Sequence, residues 1–95
     1  MTVERWTGKV KIGYTGELIE VLKAASEEVG LTNRICSFMY CPFDVVILDN
    51  EFESEEAVLE NQAVRHDKGG PALAEWGKKR PELVVSETHE LLRVH

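Results

Sequence analysis

Four branched apolar residues in succession, Val45, Val46, Ile47 and Leu48, constrain this chain more than any other feature. Neighbours in a strand point to opposite faces. A run that is apolar on both faces therefore reads as a central strand covered on both sides. The expectation is that all four are almost wholly buried. The partner for one side is visible upstream: in "ELIEVLKAASEEVG", Leu18, Leu22, Ala25 and Val29 recur at helical spacing, with acids and Lys23 opposite them and Gly30 as the stop.

Other elements follow from the same periodicities. "GKVKIGY" alternates, with Val10, Ile12 and Tyr14 on one side, and predicts a strand with one wet face. Thr15 is a candidate cap for the helix after it. "NRICSFMYC" predicts a second strand, interrupted by Pro42. Ser54 is placed to cap a helix through "EEAVLENQAVRH", and Pro71 suits the first turn of another, "PALAEWGKKR", with Leu73 and Trp76 inward and Pro81 as the stop. "ELVVS" predicts a short strand and "ETHELLRVH" a terminal helix or tail. The order β-α-β-β-α-α-β-α implies a small α/β fold. Its commonest form is a three-layer sheet with helices on both sides; the half-polar first strand points to a partly antiparallel α+β variant.

The totals bound the function. Ninety-five residues predict one domain, 1–95, with one core. A net charge of −6 argues against a nucleic acid or an anionic membrane as the main partner. No stretch approaches the ~20 apolar residues of a membrane span, and the first residues lack a secretory apolar core. Cys36 and Cys41, if joined by extended chain, lie about 17 Å apart, too far for a disulfide. They read as reduced, buried thiols, which suits the cytoplasm.

From Phe43 to Ser86 the chain resembles part of a response-regulator receiver domain. "FDVVILDN" is similar to the strand that presents the phospho-accepting aspartate, and "GGPALAEWGKKRPELVVSE" to the glycine, helix and strand that follow it. The helix "GELIEVLKAASEEVG" is also similar to a receiver's first helix. The resemblance implies Asp49 as acceptor and Ser86 as the hydroxyl that contacts the phosphoryl group. The chain lacks the acidic pair that would hold Mg²⁺ and the lysine of a fifth strand. What the resemblance then implies is a receiver-like fold that is catalytically silent, with a Mg-dependent phospho-acceptor as the alternative.

Two charged segments remain. From Asp44 to Glu60 there are seven acids and no base. Asp49, Glu51 and Glu53 make a candidate weak Mg²⁺ or Ca²⁺ site, although Ser54 stands where a calcium loop wants glycine. The bland reading is a solvated helix start favoured by the helix dipole. From Arg65 to Arg80 there are five bases against two acids. Arg65, Lys68, Lys78, Lys79 and Arg80 form a candidate interaction patch, for an acidic protein surface first and a nucleic acid second. His66, His89 and His95 show no ligand spacing. No nucleophile stands beside a base in the sequence, no ligand set is complete and no cofactor turn is recognisable. The expectation is a small cytoplasmic regulatory or adaptor domain without catalysis or resident cofactor. It would act by contact with an unknown protein partner or as a homodimer.

Overall fold

A computed structural model describes residues 1–30, 33–37 and 45–95. Its elements are β1 (Thr2–Val10), α1 (Thr15–Glu28), β2 (Asn33–Ser37), β3 (Val45–Phe52), α2 (Glu55–Lys68), α3 (Pro71–Leu83) and β4 (Val84–Arg93). The strands form one sheet in the order β2-β3-β1-β4, every neighbouring pair antiparallel. Each helical crossover therefore skips over one strand, which is the split β-α-β arrangement of ferredoxin-like folds. Crossovers of one hand place the helices on one side of the sheet. The result is an α+β fold of two layers, only 18 Å deep against 36 and 34 Å in the other directions. The three-layer, receiver-like expectation is thereby corrected: a receiver needs parallel strands, and none of the described neighbours is parallel.

Register decides which residues meet the helices. β1 runs from Thr2 opposite Phe52 to Lys9 opposite Val45, and from Thr2 opposite Arg93 to Lys9 opposite Ser86. Trp6, Val10 and Val46 point to the helices and join Leu18, Leu22 and Leu83 in one buried cluster. Leu48, Ile35 and Trp76 flank it. Gly8 lies two residues from Trp6 on the same face, and a Cβ there would run into the Trp6 ring. The glycine thus lets the indole lie along its own strand. Of the run Val45–Leu48 only Val46 is sealed; Val45 and Ile47 look out from the helix-free face and Leu48 borders a cavity. The run is central, as expected, but one side of it carries no helix among the described residues.

Two boundaries also differ from expectation. The first strand begins at Thr2 and ends at Val10, so Ile12 and Tyr14 lie in the turn to α1, with Ile12 88% exposed. Gly13 makes that turn possible with a φ of +89°. The last segment is a single ten-residue strand, not a short strand and a helix. Pairing with the whole length of β1 makes it a strand. Pro81 does not stop α3; the helix runs two residues further and delivers Leu83 to the core. Ser54 does cap α2, accepting from the Ala57 N–H at 3.2 Å, and Gly30, with φ +72°, does follow α1. Thr15 makes no cap bond, and its hydroxyl is buried without a partner. Cys41, Pro42 and Asp44, and the side chains of His66 and Lys68, lie outside the described residues.

The two helices that pack together are also tied by charge. α3 begins at Gly70, which has no side chain to cap it. Glu28, at the end of α1, supplies the carboxylate: it accepts from the N–H groups of Gly70, Ala72 (2.8 Å) and Leu73 (3.1 Å). Those bonds satisfy the free donors of a helix start and set a negative charge at its positive pole. Led by the bond from Ala72, they hold the Glu28 carboxyl below its ordinary 4.5 against the opposing effect of desolvation.

Two outcomes follow. A carboxyl depressed in the folded state stabilises fully above its unfolded value and loses that contribution as pH falls through the folded value. Acid unfolding curves of Glu28→Gln should therefore lie below wild type at neutral pH and converge with it below about pH 4.5. Denaturant titration should also rank the core: Leu18→Ala costs about 2–5 kcal/mol, whereas Ile47→Ala, at a partly buried position, costs about 1 kcal/mol.

Candidate functional site

The helix-facing side of the sheet is not filled along its length. Between the sheet and helices α2 and α3 lies a cavity of about 180 Å³ lined by Glu4, Trp6, Leu48, Asn50, Arg65, Trp76, Arg80 and His89. A second lobe of about 70 Å³ shares Leu48, Asn50, Arg65 and Trp76 and runs beneath Leu22 and Ala25 of α1. Strand register assembles the floor: Glu4 sits opposite Asn50, and Trp6 sits between Leu48 on one side and His89 on the other. The helices add the roof, Arg65 from α2 and Trp76 and Arg80 from α3. Trp76 meets Trp6 edge to face, ring centres 5.4 Å apart. Arg80 lies over the outer face of Trp76 and forms an ion pair with Glu87 of β4, its Nε donating at 2.9 Å.

Glu4 is the centre of the polar wall. Its side chain is only 3% exposed. Arg65 donates to Oε1 at 2.8 Å and the Asn50 amide donates to the same oxygen at 3.2 Å. The His89 ring Nε2 lies 3.1 Å from Oε2. Arg65 is itself steadied by its Nε–H donating to Asn61 at 2.7 Å. Burial pushes the Glu4 carboxyl up, but the Arg65 charge and the bonds from Asn50 and Arg65, helped by His89, outweigh it. The group ends below its ordinary 4.5 and is ionised at neutral pH.

An ionised Glu4 fixes its neighbours. It accepts only, so Asn50 must turn its Nδ2 toward it, which leaves the Asn50 Oδ1 as an acceptor aimed elsewhere. That oxygen is buried without a partner, and so is the Nε1–H of Trp6. Buried polar atoms normally have partners. Here two such atoms, one donor and one acceptor, belong to residues that line the same cavity.

The residues singled out from sequence lie elsewhere. Asp49 is on the helix-free face, with one carboxylate oxygen accepting from Arg5 Nε at 2.8 Å and the other from Arg5 Nη2 at 2.9 Å. Arg34 approaches at 3.5 Å. The hydrogen bonds from Arg5, ahead of its charge and that of Arg34, hold the Asp49 carboxyl below its ordinary value despite burial. Ser86 is on the far side of β1, opposite Lys9, so it stands about 16 Å from Asp49 by strand spacing. Glu51 shares the face of Asp49, while Glu53 lies in the bend before α2. Among the described residues no three His, Cys, Asp or Glu side chains are grouped to hold a metal. The basic segment is dispersed. Arg65 enters the cavity, Lys79 pairs with Glu17 and Glu82, and Arg80 pairs with Glu87. Lys78 is exposed on α3. Sequence reasoning passed over Glu4, Trp6 and Asn50, although the alternation Glu4, Trp6, Gly8, Val10 already placed the first two on one face.

No family model matches the sequence, and no curated protein matches it significantly. Solved structures do match its fold. An uncharacterized NIPSNAP domain protein from Burkholderia xenovorans superposes with a TM-score of 0.77 at 11% identity, covering 100% of this chain and 95% of its own. A NIPSNAP family protein from Agrobacterium tumefaciens gives 0.76 at 13% identity, covering 99% and 92%. A putative antibiotic biosynthesis monooxygenase from Nitrosomonas europaea gives 0.71 at 13% identity, covering 99% and 98%. The chain has the α+β fold of these proteins. The resemblance to receiver domains is overturned by them, as it is by the antiparallel sheet. No helix among the described residues is long and apolar enough to cross a membrane.

The Glu4 network has a distinct energetic signature. Arg65→Met leaves a buried carboxylate short of its main counter-charge and should cost about 3–5 kcal/mol at neutral pH. Wild-type stability falls on acidification as Glu4 is protonated, whereas the variant is relieved by that protonation. Urea unfolding at several pH values should therefore show the deficit shrinking toward pH 4.

Proposed function

We propose that this chain binds a small, planar, polar molecule in the cavity between its sheet and helices. One observation carries the reading: a buried, charged Glu4, held by Arg65, Asn50 and His89, lines an open cavity beside two indoles. A buried ion network is poor value as a stabiliser, since apolar residues of similar size often do as well or better. Its presence beside an open cavity favours a ligand role. The cavity is close to the engineered ~150 Å³ void known to hold benzene, so the occupant is about one ring with a few polar substituents. A putative antibiotic biosynthesis monooxygenase shares the fold, which favours a reading with a small-molecule ligand. The free, exposed thiol of Cys36 suits a reducing compartment, and we assign the protein to the cytoplasm on that basis.

A second reading concerns protein contact. The face carrying Arg5, Arg34, Ile47, Asp49, Glu51 and Glu90 bears no helix among the described residues. It combines half-buried apolar side chains with both signs of charge, so it is complementary to a two-fold copy of itself. On this reading the adaptor surface meets a second copy of this chain.

Both readings are measurable. Titration with benzyl alcohol should move the indole N–H signals of Trp6 and Trp76 in a saturable manner, with a dissociation constant of about 10⁻³ M for so small a probe. Shifts scattered over the outer surface, with both indoles unmoved, would remove the cavity reading. Sedimentation of the wild type should show a dimer, and Ile47→Glu a monomer that still binds the probe; a monomeric wild type at 100 µM, about the top of the range for such work, would remove the second.

A further inference from the structure

We propose that the cavity selects an aromatic monocarboxylate, one ring bearing one carboxylate, with the ring against its apolar lining and the carboxylate at Arg65 and Arg80. The proposal rests on the cavity being a ligand site and adds the chemical class of the ligand.

The sign of the wall comes from how two ion pairs are turned. Arg80 of α3 pairs with Glu87 of β4, and of the two only Arg80 lines the cavity. Arg65 and Glu4 both line it, but the Glu4 side chain is 3% exposed against 25% for Arg65. In each pair the guanidinium is the half presented to a ligand. The remaining titratable group of the wall, His89, is an imidazole. No acid besides Glu4 lines either lobe among the described residues. The Glu87 carboxylate holds Arg80 in place, and Glu4 and Asn61 hold Arg65. An anion that meets such pre-positioned donors gains charge-assisted hydrogen bonds at little cost in side-chain ordering. A carboxylate also matches the planar fork of a guanidinium and stays flat with its ring.

The same wall disfavours a cation. A cation is drawn to tryptophan by the ring face and to an acid by charge, and both attractions are already engaged. Arg80 lies over the Trp76 ring, 5.8 Å from its centre. Glu4 is held by Arg65, Asn50 and His89.

Polarity also changes along the cavity. The smaller lobe is lined largely by Leu22, Ala25, Val29, Leu48, Leu73 and Trp76. Leu48, Trp76 and Arg65 line both lobes, so the apolar lining begins where a guanidinium stands. A ring at that border buries its faces on leucine and indole while its carboxylate reaches the arginines.

Three probes of one size and different charge test this on the whole chain: benzoate, benzyl alcohol and benzylamine, each followed by the indole N–H signals of Trp6 and Trp76. Benzoate should bind about tenfold tighter than benzyl alcohol, and benzylamine about tenfold more weakly. The protein carries a net charge of −6, so non-specific attraction would give the reverse order. Raising salt from about 0.02 M to about 0.5 M should weaken benzoate several-fold and leave benzyl alcohol unmoved. Arg80→Gln, a change at a half-exposed position, should cut the preference for benzoate to about twofold. Thermal unfolding verifies that the variant is folded; if it is not, the salt titration of the wild type decides. Equal affinity for benzoate and benzyl alcohol, or tighter binding of benzylamine, overturns the carboxylate and leaves the ligand site standing. A preference undiminished in folded Arg80→Gln overturns the placement of the carboxylate at Arg80. Failure of all three probes to reach the indoles overturns the ligand site, and the carboxylate with it.

Discussion

A strand has only two sides, and β1 lies between β3 and β4 in the middle of the sheet. Its helix-facing side is given to Glu4, Trp6, Gly8 and Val10, and each choice sets something downstream. Val10 and Trp6 anchor the apolar cluster. Gly8 gives the Trp6 ring room to lie along the strand. Glu4 puts a charge where a core residue would normally stand, and this forces Arg65, Asn50 and His89 to arrange themselves around it. The cavity exists because those four polar groups and two indoles do not close-pack as aliphatic side chains would.

Elements marked by one clear period were legible in the sequence. The stripe Leu18, Leu22, Ala25, Val29 appears as α1, and Ser54 and Pro71 stand at the starts of α2 and α3. The antiparallel α+β alternative was available from the half-polar first strand. What failed did so for physical reasons. Charged Glu4 and Arg5 hide the alternation of β1, because hydropathy counts a buried ion as an exposed one. Leu91 and Leu92 in β4 share a run with Glu87, Glu90 and Arg93, which resembles an amphipathic helix; only β1 makes it a strand. The apolar run in β3 promised cover on both sides, yet one side carries no helix among the described residues.

The seam at Asp49 shows how a suggestive position can be structural. An aspartate at the end of an apolar run invites a chemical role. Here a guanidinium grips both of its oxygens, a geometry strong in both energy and direction. The pair joins β1 to β3 across the open face, with Arg34 extending it toward β2. Glu28 performs a comparable task at the other end of the molecule, joining α1 to α3 by way of backbone donors. The fold thus uses three ionised carboxylates as fasteners, and only Glu4 among them borders the cavity beside the indoles.

The bond between Glu4 and His89 spans 85 positions of sequence. It belongs to the longest loop the chain closes, since β1 pairs along its length with β4. Folds dominated by such distant pairings form slowly, because the entropy of closing the loop is lost before the contacts compensate it. A chain emerging from the ribosome can build α1 and even the β2–β3 pair while β1 still waits for its second neighbour. During that interval one edge of β1, with Trp6 and a half-neutralised Glu4 beside it, faces water. The arrangement that places His89 next to Glu4 thus makes β4, synthesised after the other described strands, the one that completes both the sheet and the cavity, so the two are finished in a single event.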